Sequence, residues 1–179
     1  MKSRWTRFNL YLLTLALVAG TGCKSPEERK RDKTTATLRL FLEATPDGTA
    51  RYQMIELAGV PICANTSGFL AENSVKRVEV INTRDGGFAL DVEFDRHGLL
   101  VLDSITAANR GRRIIVFSQF GQKNSGKERW LAAPKITGRL SSGRLIFTPN
   151  ATREEAVEIA VGLGNVVKKA DKQTFFKDE

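Results

Sequence analysis

Residues 87–95, GFALDVEFD, alternate without a break: Phe88, Leu90, Val92 and Phe94 face one way, and Asp91, Glu93 and Asp95 the other. Successive side chains of a strand point to opposite faces, so this segment is a strand with one apolar face. Such a strand needs partners and a core to lie on, and antiparallel sheets commonly keep one face wet. The chain supplies partners on both sides. TATLRLFLEA (35–44) alternates Leu38, Leu40 and Leu42, and residues 50–57 are expected as its hairpin partner across Asp47-Gly48. VKRVEVIN (75–82) is a further strand, separated from 87–95 by the turn Asp85-Gly86-Gly87. RRIIVFSQF (112–120) is apolar on both faces and reads as a central strand. RWLAAP (129–134), KITGRL (135–140) and GRLIFT (143–148) read as short strands around Pro134 and Ser142-Gly143.

Two segments switch to helical spacing. Residues 97–110 place Leu99, Leu102 and Ile105 on one face, with Gly111 as the expected C-cap. In the last, Asn150 is the expected N-cap, Glu154 and Glu155 fill the first turn, and Lys168 and Lys169 the last. Ala156, Ile159, Ala160, Leu163 and Val167 form its apolar stripe. The reading is α+β: a mostly antiparallel sheet with two main helices packed on one face.

The N-terminus reads as an address. Lys2, Arg4 and Arg7 precede an apolar run at residues 8–19, then Gly20-Thr21-Gly22-Cys23. A basic start, a short apolar run and small residues mark an export signal. The run is shorter than the ~20 residues a spanning helix needs. The small residues followed by Cys23 resemble the lipobox of bacterial lipoproteins, although Gly20 stands where that pattern has an aliphatic residue. The resemblance implies cleavage between Gly22 and Cys23 and acylation of Cys23. The protein would then be anchored to membrane lipid at the cell membrane or outer membrane, facing an extracytoplasmic space, where nucleic acid is not an expected partner. Residues 24–34 carry eight charges in eleven positions and are expected as a flexible tether reaching roughly 35 Å. The organisation is therefore signal peptide 1–22, lipidated Cys and tether 23–34, domain 35–170 and charged tail 171–179.

Charge follows that division. Of the +8 net charge, three belong to Lys2, Arg4 and Arg7 and two to residues 24–34, leaving three for 35–179. The basic excess sits beside the membrane, where it favours anionic lipid.

Candidate chemistry is sparse. One histidine, His97, and two cysteines exclude a multi-His centre, a thiolate zinc site and a disulfide scaffold within one chain. Cys63, among apolar neighbours in VPICAN, reads as a buried thiol. Gly121, Gly126 and Lys127 have phosphate-loop spacing, but Glu128 replaces the magnesium-binding hydroxyl and a strand follows, so a polar hairpin loop is expected. Asp91, Glu93 and Asp95 could take a hard cation, but read as a solvated sheet face. His97, Asp103 and Ser104 lack the strained elbow of a hydrolase, so no catalytic residue is assigned. Arg110, Arg112 and Arg113 fit a helix C-terminus. The sequons at Asn65 and Asn150 are treated as chance, and Trp130 is the best aromatic candidate for binding. No metal or small-molecule cofactor is called for.

From Phe88 onward the motif order resembles the head of the first periplasmic domain of SecD. The matching pieces are VEFDRHG (92–98), Thr106, Asn109, Gly111 and Arg112 in T-x-x-N-x-G-R spacing, the strand IIVF, Ala133-Pro134-Lys135-Ile136, the Ser142-Gly143 turn and FTPNATREEA (147–156). Together they cover 88–170, with weaker similarity back to about residue 50. The resemblance implies a SecD-head-like fold and a non-catalytic binding module for extended polypeptide or a translocation or assembly complex. It implies no site residues, since the shared motifs are turns, caps and core. The chain has no candidate spanning helices of the kind that form SecD's proton pathway. The alternatives are a scaffolding envelope lipoprotein with a dedicated protein partner, or an envelope hydrolase.

Overall fold

The computed structural model describes residues 25–46, 51–122 and 126–175, apart from the side chains of 171–175. Gly22, Cys23, the leader and the Asp47-Gly48 turn lie outside the described residues.

Eight strands form two antiparallel sheets. The strands are β1 (Thr35–Glu43), β2 (Tyr52–Leu57), β3 (Val60–Ala71), β4 (Val75–Asn82), β5 (Phe88–Phe94), β6 (Ile114–Gly121), β7 (Lys127–Ala132) and β8 (Arg144–Phe147). The larger sheet has the order β2-β3-β1-β6-β7, and the smaller β4-β5-β8. Three helices are described: α1 (Pro26–Lys33), α2 (Arg96–Ala108) and α3 (Arg153–Phe175). The fold is α+β as expected, but with two sheets instead of one.

The alternation read from the sequence places the core. Leu38 and Leu40 of β1, Val116 and Phe120 of β6, Leu90, Val92 and Phe94 of β5, and Leu145 and Phe147 of β8 are buried in one cluster. The α3 stripe enters the same cluster through Ala156, Ile159 and Leu163. Both sheets and α3 thus share one core. The opposite face of the larger sheet carries a second cluster of Phe41, Ile55, Ile62, Ala64 and Ile115. It closes because β3 is irregularly paired with β1, with register shifts at Leu40/Phe41 and Phe41/Glu43. Such bulges bend a strand, and β2 reaches β7 although the two are opposite edges of the sheet order.

Several expectations are corrected. β2 pairs with β3 across Ala58-Gly59, not with β1. Residues 135–140 form no strand; only Lys135 bridges to Arg113. α3 starts after Thr152 instead of Asn150. Thr152 Oγ1 accepts from Glu155 N at 3.2 Å, and Glu155 Oε2 accepts from Thr152 N at 3.1 Å. This reciprocal capping box satisfies two groups at the helix start, which Asn150 cannot do from further upstream. α3 also runs on to Phe175, so Lys168 and Lys169 are not in its last turn.

The tether reading also changes. Residues 26–33 are helical, with a capping box between Ser25 and Glu28 and Pro26 at the first helical position. One residue, Thr34, joins α1 to β1, and it is 7% exposed.

Candidate functional site

β8 is an edge strand, and its hydrogen-bonding phase decides what it offers. Phe94 donates its N–H to Gly143 O at 2.9 Å, in the register that pairs Val92 with Leu145 and Leu90 with Phe147. Bonded and non-bonded pairs alternate along an antiparallel ladder. Leu145 and Phe147 therefore turn their backbone groups toward β5. Arg144 and Ile146 turn theirs to the open edge.

Alongside that edge runs a cleft of about 480 Å³, lined by Arg144 to Ile146 on one side and the 134–140 segment on the other. The facing wall is rigid. Ile136 N donates to Arg112 O at 2.7 Å, Gly111 N donates to Ile136 O at 2.8 Å, and Pro134 O accepts from Ile114 N at 3.0 Å. Gly111 holds φ +88°, a conformation that favours glycine. With Pro134 and Ile136 bonded toward residues 111–114, the alternation of extended chain leaves the Lys135 N–H and C=O facing away from them. Further along, Leu140 N donates to the Thr106 hydroxyl at 3.0 Å, and Arg110 Nη2 to Thr137 O at 3.3 Å.

The lining combines apolar and cationic groups. Ile136 is buried, Leu140 is half-buried, and Ile146 is 52% exposed. Lys135, Arg139 and Arg144 line the cleft and no carboxylate does. Arg139 is held by Asp103, its Nε 2.9 Å from Oδ1. That hydrogen bond lowers the Asp103 pKa and raises that of Arg139. Arg144 forks onto Asp91, and the hydrogen bond raises the Arg144 pKa. Among the described residues, no ion pair holds Lys135.

The other sequence candidates have structural partners. Asp91 is 7% exposed beside Arg144, Glu93 binds Lys76 at 2.6 Å, and Asp95 caps α2 through Gly98 N at 2.7 Å. The Lys76 hydrogen bond lowers the Glu93 pKa. The three acids are thus a paired face, not merely a solvated one. His97 lines a different hollow with Arg39 and Glu72, while Asp103 engages Arg139; their separation of six positions spans ~9 Å of helix axis. Ser104 is exposed. Arg112 bonds Asn109 Oδ1 and Glu43 O, and Arg113 lies 3.8 Å from Glu43.

Trp130 packs its ring 4.7 Å from Phe117 and 5.7 Å from Phe41, over the second cluster instead of presenting itself to a ligand. Cys63 is half-buried, not buried, with Sγ 3.1 Å from Met54 Sδ. Lys127 reaches Glu155 at 3.6 Å, and the segment carrying Gly121 and Gly126 joins antiparallel β6 and β7. Asn65 lies half-buried in β3, and Asn150 N donates to Leu131 O at 2.6 Å.

The cleft was not among the sequence candidates. The alternation in Arg144-Leu145-Ile146-Phe147 is a strand signal, but which of its edges stays open depends on the order β4-β5-β8. Among the described residues, no helix is long and apolar enough to cross a membrane.

No protein-family model and no curated protein sequence matches the chain. Among solved structures it is similar to SecDF, a membrane component that enhances protein export, with 15% identity and a TM-score of 0.56 over 81% of this chain and 70% of that one. It is also similar to SecDF in a super-membrane-facing form, with 15% identity and a TM-score of 0.55 over 79% of this chain and 21% of that one. At this identity the likeness establishes a fold: the chain shares its α+β architecture with SecDF, in agreement with the SecD-head-like domain read from the motif series.

Proposed function

We propose that this protein is a non-catalytic polypeptide-binding module, anchored outside the cytoplasm through acylated Cys23 and serving protein translocation or assembly. The observation that carries the binding role is the open edge of β8 beside the 134–146 cleft. An extended polypeptide adding to β8 gains main-chain hydrogen bonds at Arg144 and Ile146, and these tolerate sequence variation. Alternate side chains of the guest meet Ile136, Leu140 and Ile146. A lining with three cations and no carboxylate favours a guest that mixes apolar and acidic residues. An exposed ion pair contributes about 0.2–1 kcal/mol, so Lys135 alone gives a preference of a few-fold. The SecDF likeness supports the setting, since SecDF is a component that enhances protein export.

The test is photocrosslinking in living cells, from a probe at position 146 and, as control, at Val60, which is 50% exposed on β3. Exported polypeptides should crosslink at 146 and not at 60. Ile146→Pro removes an N–H that points away from β5, so it blocks strand addition while leaving the β5–β8 ladder intact. It should abolish crosslinking from a probe at position 135. Equal capture at positions 60 and 146, or capture unchanged by Ile146→Pro, would refute the site.

A further inference from the structure

The junction between the N-terminal segment and the domain is stiff. α1 leads into β1 through the single buried residue Thr34. Thr34 Oγ1 bonds Lys30 O at 3.1 Å. Asn165 of α3 donates from Nδ2 to Thr34 O at 2.9 Å and to Arg31 O at 2.7 Å, the latter also accepting from Thr34 N at 3.1 Å. α1 is thereby clamped to α3 and to the first strand of the larger sheet.

Its charges are sorted. At ~100° per residue, Arg29, Lys30 and Lys33 fall on one arc of the helix, and Glu27, Glu28 and Asp32 on the remainder together with Arg31. Lys168 and Lys169, exposed on α3 just beyond Asn165, add two cations to the helix that α1 is bonded to. Only Lys24 separates Cys23 from the helix cap Ser25. Two residues span about 7 Å at most, which is within the ~8 Å screening length at physiological ionic strength.

We infer that α1 and the adjoining part of α3 form a docking face for anionic lipid headgroups, which holds the domain in one orientation at the membrane surface. This rests on the acylation of Cys23, which places the face beside the bilayer. The occupant follows from charge complementarity and from the short reach to the anchor. A swinging tether of 23–34 would leave the domain free to rotate; a helix of about 12 Å fused to β1 does not.

The experiment is amide hydrogen exchange on the acylated protein in vesicles of phosphatidylcholine, with and without phosphatidylglycerol. Amides of residues 29–34 and 165–170 should exchange several-fold more slowly when phosphatidylglycerol is present. The difference should vanish in high salt and in the Arg29→Gln/Lys30→Gln/Lys33→Gln variant. Identical exchange in both lipids overturns the inference, as does protection that survives the triple substitution. Flotation of the vesicles reports attachment separately. Where Cys23 proves unacylated, coupling its thiol to a maleimide lipid in a Cys63→Ser background supplies the anchor. The same comparison of lipids then decides the docking face independently of the acylation reading.

Discussion

α3 carries two glycines two residues apart whose replacement should act in opposite directions. A Cβ at Gly162 would lie 2.7 Å from Ala36 N and Thr35 C and 2.8 Å from Ala36 Cβ, where ordinary contact begins at 3.4 Å. The obstacle is the backbone of β1, where Thr35 and Ala36 are held in register with Gly121 and Phe120 of β6. α3 must therefore retreat by roughly 0.7 Å, opening the core along Ala156, Ile159 and Leu163. Overpacking of this kind costs about 1–3 kcal/mol, and the better helix propensity of alanine offsets up to about 1 kcal/mol of it. At Gly164 nothing lies within 4 Å of the added atom, so Gly164→Ala keeps the propensity gain of about 0.5–1 kcal/mol. Urea unfolding of the two variants should show midpoints moving to opposite sides of the parent at a common slope. In melting temperature, each kcal/mol corresponds to about 2–4 °C for a domain of this size. A Gly162→Ala protein as stable as the Gly164→Ala protein would refute the close helix–strand contact.

Three further outcomes are expected. Thr152→Ala should cost about 1 kcal/mol by removing the α3 capping box, whereas Asn150→Ala should stay within about 0.5 kcal/mol; urea midpoints check both. Arg139 holds the Asp103 carboxyl below its ordinary value of 3.8, so the pair's contribution is complete above that value and fades as pH falls through the lowered one. NMR titration should show the Asp103 midpoint rising toward 3.8 in Arg139→Gln, and an unmoved midpoint would contradict the pairing. Trp130→Ala should destabilise by about 2–4 kcal/mol, through lost contact with Phe41 and Phe117. Crosslinking from position 146 should persist in the folded fraction.

The parts legible in the sequence are those whose signal is local. The period of two in β5 and the stripe of α3 each identify their own buried face, because the same residues that set the period make the contacts. β3 escaped that reading. VPICANTSGFLA has no sustained alternation, since the register shifts opposite Phe41 swap faces along the strand. Without alternation in β3, the nearest alternating segment, β1, is the expected partner of β2, whereas β2 pairs with β3. At the helix starts, Ser25 with Glu28 and Thr152 with Glu155 carry capping-box spacing, but charge density at the first site and Asn150 at the second are competing local signals, and spacing alone does not choose among them. Asp91 reads from the sequence as part of a solvated face and Trp130 as a binding candidate, whereas Asp91 is buried against Arg144 and Trp130 packs on Phe41 and Phe117. Their roles depend on Arg144, 53 positions away, and on Phe41, reached across the bent sheet.

The sequence by itself determined the α+β class, the antiparallel strands, and the apolar faces of β5 and α3. These depend on periodicity and short-range chemistry, which a chain displays before it folds. Only the tertiary structure decided that the strands divide into two sheets around α3, that β8 keeps an open edge beside residues 134–140, and that α1 is clamped by Asn165. Each of these is a choice of partner between residues distant in the chain. Backbone hydrogen bonds and buried area accept many partners, and packing of the whole core selects among them.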